Sequence, residues 1–232
     1  MNSMADALNK ELNVDTAFTL HLGPVSLPFA ESTVISWVVM GILVALALLL
    51  THNLKVENPG RGQLALESFV CWLEKSIKNI LGPGAEEYWM YLFTVCLFIG
   101  MSNIIGLLGM KPPTKDLDVT VALAVMSIVL VEAAGIRAKH VKGWLRSFAQ
   151  PIPIITPINI LEIAIRPLSL CMRLFGNVLG SFIIMELIKH LVPMVLPTIF
   201  SLYFDIFDGF IQAYVFVFLT GLYIKDAVGT EE

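Results

Sequence analysis

Charged residues are scarce in this chain of 232 residues. Only 15% of the residues are charged, whereas 56% are hydrophobic, and the mean hydropathy is +0.78. The net charge is −4 and the acidic residues are scattered, so the composition shows no footprint for nucleic-acid binding. Soluble domains of this length are far more polar, and the composition therefore predicts a polytopic membrane protein.

Familiar motifs of enzymes and of cofactor or metal binding are also missing. No HExxH, GxGD or paired Ser/His spacing occurs, which argues against an embedded enzyme, and neither a cofactor nor a metal ion is expected. The three cysteines, Cys71, Cys96 and Cys171, have no CxxC spacing and are expected to be small packing residues. No apolar core follows a basic start in the first 30 residues, so no cleaved signal peptide is expected.

Five apolar segments are long enough to cross a bilayer, which takes about 20 residues. They are predicted at 32–54, 86–110, 118–138, 157–191 and 198–225. The last two are long and should form a tilted antiparallel hairpin, broken between them at Pro193 and Pro197. The expected fold class is an all-α polytopic membrane protein with about five membrane segments plus an interfacial amphipathic helix.

That amphipathic helix is predicted at 59–81. Apolar side chains recur there at helical period from Leu66 to Leu81, and most polar side chains lie on the other side. The helix either lies along the membrane interface or packs as an ordinary helix on its own neighbours, and the sequence leaves both open.

Lysine and arginine counts predict the orientation, because positive loops stay in the cytoplasm. The N-terminal segment 1–31 holds one such residue, the first loop four, the second two and the third four. An extracytoplasmic N-terminal segment, a basic cytoplasmic loop at 139–156 and a cytoplasmic C-terminus are therefore expected. The lack of a transit peptide favours a bacterial inner membrane.

The fourth segment places Arg173 in the middle of an apolar run. A charge at the bilayer centre costs about 2.5–3.5 kcal/mol, so such a residue faces a partner, a cavity or water. The guanidinium is always charged, and the nearest acids, Glu162 and Glu186, do not share its helical turn. Arg173 therefore predicts an acidic partner from elsewhere, such as another subunit.

Helical spacing groups further polar residues with Arg173. Arg166 lies seven residues before it and Asn177 four residues after it, on one stripe. The last segment carries a second polar stripe: Asp205, Asp208 and Gln212. In an antiparallel hairpin the two stripes should face each other or a shared aqueous gap.

Plain structural roles remain open for several of these residues. Glu162 and Arg166 could form a structural ion pair, and Glu186 could sit at the outer head groups. Gly176 and Gly180 make a small-xxx-small step that lets another helix approach closely, a pattern that is common in membrane helices.

The stretch from Pro167 to Asn177 resembles the signature of the a subunit of F-type ATP synthases. The core of the likeness is Arg173-Leu174-Phe175-Gly176-Asn177, preceded by Pro167 and Ser169-Leu170. Weaker likenesses follow in the family's order along nearly the whole chain: Gln63 and Glu67 after Pro59, Ser102-Asn103 before Gly106-Leu107, Asp118-Val119-Thr120, and Gln212-Ala213.

This resemblance implies an ion-translocating stator subunit, with ATP chemistry carried out elsewhere in the complex. The implied partners are the c-subunit ring, peripheral-stalk b subunits, the F1 sector indirectly, and membrane lipids. Arg173 would attract each ring carboxylate, keep it ionised and separate two aqueous half-channels. Gln212 would orient Arg173 and Asn177 would line the stripe. Structural roles are implied for Pro167, Gly176, Gly180 and Asn103.

One departure from the family pattern affects the ion path. Phe182 stands nine residues after the arginine, where family members often carry a Glu or a His. The expected outer half-channel residues are therefore Asp205, Asp208 and Glu186, and the inner candidates are Glu162 and Asn159. Asp205 could instead be a cap at the outer helix end. The coupling ion, H⁺ or Na⁺, stays open because the ring carboxylate site largely decides it.

A secondary transporter or ion channel is the competing interpretation, in which the same polar stripe binds a substrate. Five segments without a visible inverted repeat argue against it. Copurification distinguishes the two functions, because a stator subunit copurifies with an oligomeric ring and a soluble ATPase, whereas a transporter or channel does not.

Overall fold

The computed structural model is a bundle of helices preceded by a short β-hairpin. It describes residues 16–22, 25–52, 54–55, 59–107, 110–148, 154, 156–191 and 202–229. The helices are α1 (Glu31–Thr51), α2 (Arg61–Leu81), α3 (Trp89–Leu107), α4 (Leu117–Ser147), α5 (Thr156–Leu191) and α6 (Gly209–Val228). Within the described residues, five helical stretches are long and apolar enough to cross a membrane, and α2 is not among them. The predicted all-α polytopic membrane fold is confirmed.

The hairpin in front of the membrane helices was not predicted. Its strands are β1 (Thr16–Leu22) and β2 (Val25–Ala30), which pair antiparallel with Leu22 opposite Val25 at the turn. Apolar residues alternate along both strands, a period of two that is the sequence signal for a strand. The segment predicted only as N-terminal and extracytoplasmic therefore has a structure of its own.

Three clusters of buried side chains hold the helices together, with α3, α4 and α6 at the centre. The first cluster joins α2, α3, α4 and α6. The second joins α3, α4, α5 and α6, and the third joins only α1 and α3. Representative members are Leu81, Leu92 and Ile224 of the first, Ile99, Leu174 and Phe216 of the second, and Ile35, Val39 and Ile105 of the third. Because lipid is as apolar as these side chains, close packing stabilises the contacts.

Helix α2 packs along part of its length only. Leu73, Ile77 and Leu81 are buried against the bundle, whereas Leu64 and Trp72 are 50% and 61% exposed. Near the end of α2, Lys78 pairs with Glu74 one turn earlier on the same helix, at 2.7 Å. The hydrogen bond to Glu74 is the main reason that the pKa of Lys78 is raised. The second half of α2 thus behaves as a packed helix, and the interfacial placement of the first half stays a prediction.

Helix α4 bends sharply at His140, so the predicted basic loop at 139–156 was too long. The backbone of His140 has φ 57° and ψ 163°, and the chain is helical again up to Ser147. The Trp144 indole nitrogen donates to Glu132 Oε2 at 2.8 Å. Twelve residues of straight helix would separate these groups by about 18 Å. The residues after His140 therefore fold back against the end of the membrane span.

Helices α5 and α6 form the predicted antiparallel pair. Asn177 on α5 hydrogen-bonds Asp208 beside the start of α6, and Arg166 on α5 contacts Asp226 near the end of α6. A helix of 36 residues is about 54 Å long, well beyond the roughly 30 Å of hydrocarbon, so α5 must tilt or extend past the bilayer. The chain break predicted at the two prolines lies outside the described residues.

A wide helical turn leads into α6, which begins later than the predicted 198. Residues Leu202–Asp208 are π-helical, a conformation that is frequent at functional sites. The first residue of α6, Gly209, is buried against Asn103 of α3, whose amide nitrogen donates to the Gly209 carbonyl at 3.3 Å. Thr114 donates in turn to the Asn103 side-chain oxygen at 3.2 Å. The start of α6 is thereby fixed to α3.

We predict that His140→Gly stabilises the chain. The His140 backbone lies close to a region that only glycine populates readily, and such strain costs about 1–3 kcal/mol. The expected result is a higher melting temperature of the chain purified in detergent. Lys142→Gly, within the helical residues after the bend, is the control and should lower stability by about 1 kcal/mol. Equal losses for the two variants would show that His140 is not strained.

We also predict that Gly209→Ala destabilises the bundle. A methyl group at Gly209 would lie 2.7 Å from Asn103 Cβ, an atom that cannot rotate away. Overpacking of this kind costs about 1–3 kcal/mol, so the melting temperature should fall. Gly41→Ala is the matched control, because nothing lies within 4 Å of a methyl group there. A Gly209→Ala variant as stable as Gly41→Ala would contradict the close packing of α3 and α6.

Candidate functional site

Polar side chains line the seam between α5 and α6. Asn177 and Asp208 mark one end of this α5–α6 seam, called here the Asp208 end, and Arg166 and Asp226 mark the other, called the Arg166 end. Arg173 lies between the two pairs on α5. Counted from the Asn177–Asp208 pair, Arg173 on α5 and Gln212 on α6 each lie four residues toward the Arg166 end.

Arg173 is exposed at the middle of the seam. Its neighbours Leu170 and Leu174 are buried in the cluster that joins α5 to α6. Within the described part of the chain, no acidic side chain lies within ion-pair distance of Arg173. Gln212 is half-buried at the same level, and no hydrogen bond joins it to Arg173 among the described side chains.

The two glycines beside Arg173 line an open groove on α5. A methyl group added at Gly176 or at Gly180 would meet nothing within 4 Å. Gly180 is seven residues from Arg173 and therefore shares its face of the helix. The close helix approach that this step permits is thus not made by the described part of this chain.

The Asp208 end is a buried polar cluster. Besides the Asn177–Asp208 hydrogen bond, it contains Asn103, which contacts Gly209 and accepts a hydrogen bond from Thr114. Asn103 and Thr114 are buried. Next to Asn103, the Ser102 hydroxyl is fully buried and has no protein partner among the described residues. A buried hydroxyl without a protein partner is a place where water binds.

The Arg166 end is a compact charge cluster. One guanidinium nitrogen of Arg166 lies 2.9 Å from Glu162 Oε2 and 2.8 Å from Asp226 Oδ2. The guanidinium also lies 5.1 Å from the Tyr223 ring centre, a cation–π contact. The Arg166 side chain is only 21% exposed, whereas both carboxylates are half-exposed or more. The ion pair predicted for Glu162 and Arg166 is present, and Asp226 joins it.

The remaining predicted site residues do not meet Arg173 in the described structure. Asn159 donates from its amide nitrogen to the Phe148 carbonyl at 2.8 Å, which connects the start of α5 to the end of α4. The side chains of Glu186, Phe182 and Asp205 lie outside the part that the structure describes. The assignment of Glu186 and Asp205 to an outer half-channel stays a prediction.

Two polar contacts of the bundle, those of Asp226 and Asp116, were not predicted from the sequence. Asp226 stands fourteen residues after Gln212, so helical period puts it close to the same face and extending the stripe would have found it. Buried Asp116 accepts hydrogen bonds from the Ser32 hydroxyl and the Asp118 amide. No local pattern pairs Ser32 with a residue 84 positions away, so only the fold reveals that contact.

Comparison with known proteins gives one family. A family model described as ATP synthase A chain matches residues 33–225. The ATP synthase subunit a of Moorella thermoacetica is 37% identical over 209 residues, which cover 90% of this chain and 94% of that protein. ATP synthase subunit a 1 of Crocosphaera subtropica is 34% identical over 201 residues, covering 86% and 87%.

The name of a third relative specifies an ion. The protein named ATP synthase subunit a, sodium ion specific, of Propionigenium modestum is 30% identical over 232 residues, covering 93% of this chain and 80% of that protein. In all three comparisons the match covers at least 80% of both chains. The chain therefore belongs to the ATP synthase A chain family, the membrane-embedded a subunits of F-type ATP synthases.

Proposed function

We propose that this chain is the ion-translocating stator subunit of a rotary ATP synthase, and that Arg173 faces the carboxylates of the c-subunit ring. The observation that carries the proposal is the exposed guanidinium of Arg173, which has no acidic partner among the described side chains. The open groove at Gly176 and Gly180 on the same helix gives a ring helix room to approach.

The chemistry at Arg173 follows from two opposing effects on a ring carboxylate. Lipid around the carboxyl group raises its pKa and favours the neutral form, whereas a neighbouring guanidinium lowers its pKa and favours the anion. A carboxyl group that rotates from lipid to Arg173 therefore releases its ion, and it binds one again as it leaves. Lysine is a poor substitute, because a buried ammonium can lose its proton.

Two half-channels bring ions to opposite sides of Arg173. We place the outer half-channel at the Asp208 end, through Asn177, Asp208 and the predicted Asp205 and Glu186. Support comes from the polar cluster around Asn103 and from the buried hydroxyl of Ser102, which has no partner among the described residues. The inner half-channel lies at the Arg166 end, with Glu162 and Asn159 as its candidates. Arg173 stands between the ends and blocks a direct leak.

Gln212 orients Arg173 in this proposal. Support comes from spacing, because Arg173 and Gln212 each lie four residues from the Asn177–Asp208 contact on the facing helices. Because no described hydrogen bond holds the guanidinium, a neighbouring amide can steer it without neutralising its charge. The charge then stays available for the ring carboxylate.

The same proposal includes the orientation of the chain in the membrane and its partner subunits. The Arg166 end faces the cytoplasm of a bacterium, and the N-terminal hairpin lies outside, as the distribution of lysine and arginine predicts. The partners are the c ring, the peripheral-stalk b subunits and, through them, the F1 sector. The guanidinium acts alike on a carboxylate that carries H⁺ or Na⁺, so a relative named as sodium specific fits the mechanism as well as the others.

The central test of the proposal is Arg173→Ala in the assembled complex. ATP-driven ion pumping into sealed vesicles should be lost, passive ion leak should rise, and assembly should survive. Arg146→Ala is the matched control, because Arg146 is exposed outside the seam and should leave pumping unchanged. Pumping by Arg173→Ala near the parent rate would contradict the proposal.

A second prediction concerns the Asp208 end. Asp208→Asn keeps the size of the side chain but removes the charge that accepts a hydrogen bond from Asn177. If Asp208 lines the outer half-channel, pumping should fall by about tenfold or more, as is typical when a proton-transfer group is removed. Asp118→Asn, an exposed acid at the start of α4, is the control. Equal pumping by the two variants would place the outer path elsewhere.

A further inference from the structure

Arg166 raises a problem for a mechanism that depends on one arginine. It lies seven residues before Arg173, close to two helical turns, and so stands on the same stripe of α5. If the stripe faces the ring, a ring carboxylate that passes Arg173 would also come near Arg166. Two free cations would compete for one carboxylate.

The structure shows how the charge of Arg166 is balanced. Glu162 on its own helix and Asp226 on α6 both accept hydrogen bonds from one guanidinium nitrogen, at 2.9 and 2.8 Å. Tyr223 of α6 covers a face of the guanidinium. With two carboxylates around one guanidinium, the formal charge of the cluster is −1. Arg173 has no such acids among its described neighbours.

Three charged residues of α4, the helix against which α5 mainly packs, have contacts of their own. Glu132 accepts a hydrogen bond from Trp144, and Arg137 lies 3.5 Å from Glu87. Lys139 lies beside the end of α6, where a methyl group at Gly229 would be 2.9 Å from its amine. The described groups that contact Arg166 are Glu162, Asp226 and Tyr223.

We propose that Glu162 and Asp226 neutralise Arg166, so that the stripe presents Arg173, and not Arg166, as a free cation to the ring. Asp226 is a positioning residue in this inference, because it acts on the ring through Arg166. The inference rests on the proposed function. If Arg166 were free, it would favour the ionised ring carboxylate at the cytoplasmic side and weaken the binding of the incoming H⁺ or Na⁺ there.

The experiment uses the complete ATP synthase in sealed inside-out vesicles, whose outer face is the cytoplasmic one. The measurement is the cytoplasmic concentration of the coupling ion that gives half-maximal ATP-driven pumping, for H⁺ and for Na⁺ in turn. Asp226→Asn changes the formal charge of the cluster from −1 to 0 and leaves Arg166 with Glu162 alone. This added positive charge should raise the half-maximal concentration about tenfold, which for protons is a shift of about one unit to lower pH. Arg166→Gln combined with Asp226→Asn should restore the parent value.

Glu87→Gln is the matched control. It removes an acid from Arg137 as Asp226→Asn removes one from Arg166, but Arg137 is not on the α5 stripe, so the half-maximal concentration should stay unchanged. The amount of assembled complex is measured for every variant. The contact is partly exposed, with Asp226 67% accessible, so assembly should survive.

Two outcomes would overturn the inference. Asp226→Asn could lower assembly or the maximal rate without changing the half-maximal concentration, which would make the contact purely structural. Alternatively, the added Arg166→Gln change could fail to restore the parent value. Either result leaves the role of Arg173 standing, whereas pumping by Arg173→Ala would remove the proposed function itself.

Discussion

The structure is organised around one guanidinium that carries a fixed charge in an apolar helix. The Arg173 guanidinium stays protonated, and lipid cannot solvate its charge. A polar partner, a counterion or water must therefore surround it. The described part of the chain supplies no acid within reach. What it supplies is an exposed position, a groove beside two glycines and a half-buried amide on the facing helix. The missing counterion is therefore expected from another subunit.

The rest of the bundle keeps this guanidinium in place. Helices α3, α4 and α6 form a packed centre, and α5 is attached to it mainly along α4, with further contacts to α6 along the α5–α6 seam. Polar contacts fix the seam at both ends, Asn177 with Asp208 and Arg166 with Asp226, while its middle stays open. The close contact of Gly209 with Asn103 sets the position of α6 on α3. A packed frame around an open centre suits the contact with the c ring that is proposed for Arg173.

Local pattern was enough to predict the membrane segments, the amphipathic helix and the antiparallel hairpin. It also singled out Arg173, because an obligate cation in an apolar run is visible without any neighbour. The bend at His140 could not be predicted, because a histidine in that backbone conformation has no sequence signal. The partners of Arg166 illustrate the same limit. Spacing finds Glu162 on the same helix, but Asp226 is brought there by tertiary packing across 60 residues.

The most direct measurement is the structure of the assembled complex, in which the ring carboxylates are present beside this chain. The account predicts a nitrogen of Arg173 within about 4 Å of a carboxylate oxygen of one ring subunit, the distance of an ion pair. It also predicts a ring helix in the groove at Gly176 and Gly180. An Arg173 guanidinium paired with an acid of this chain, and more than about 10 Å from every ring carboxylate, would contradict the account.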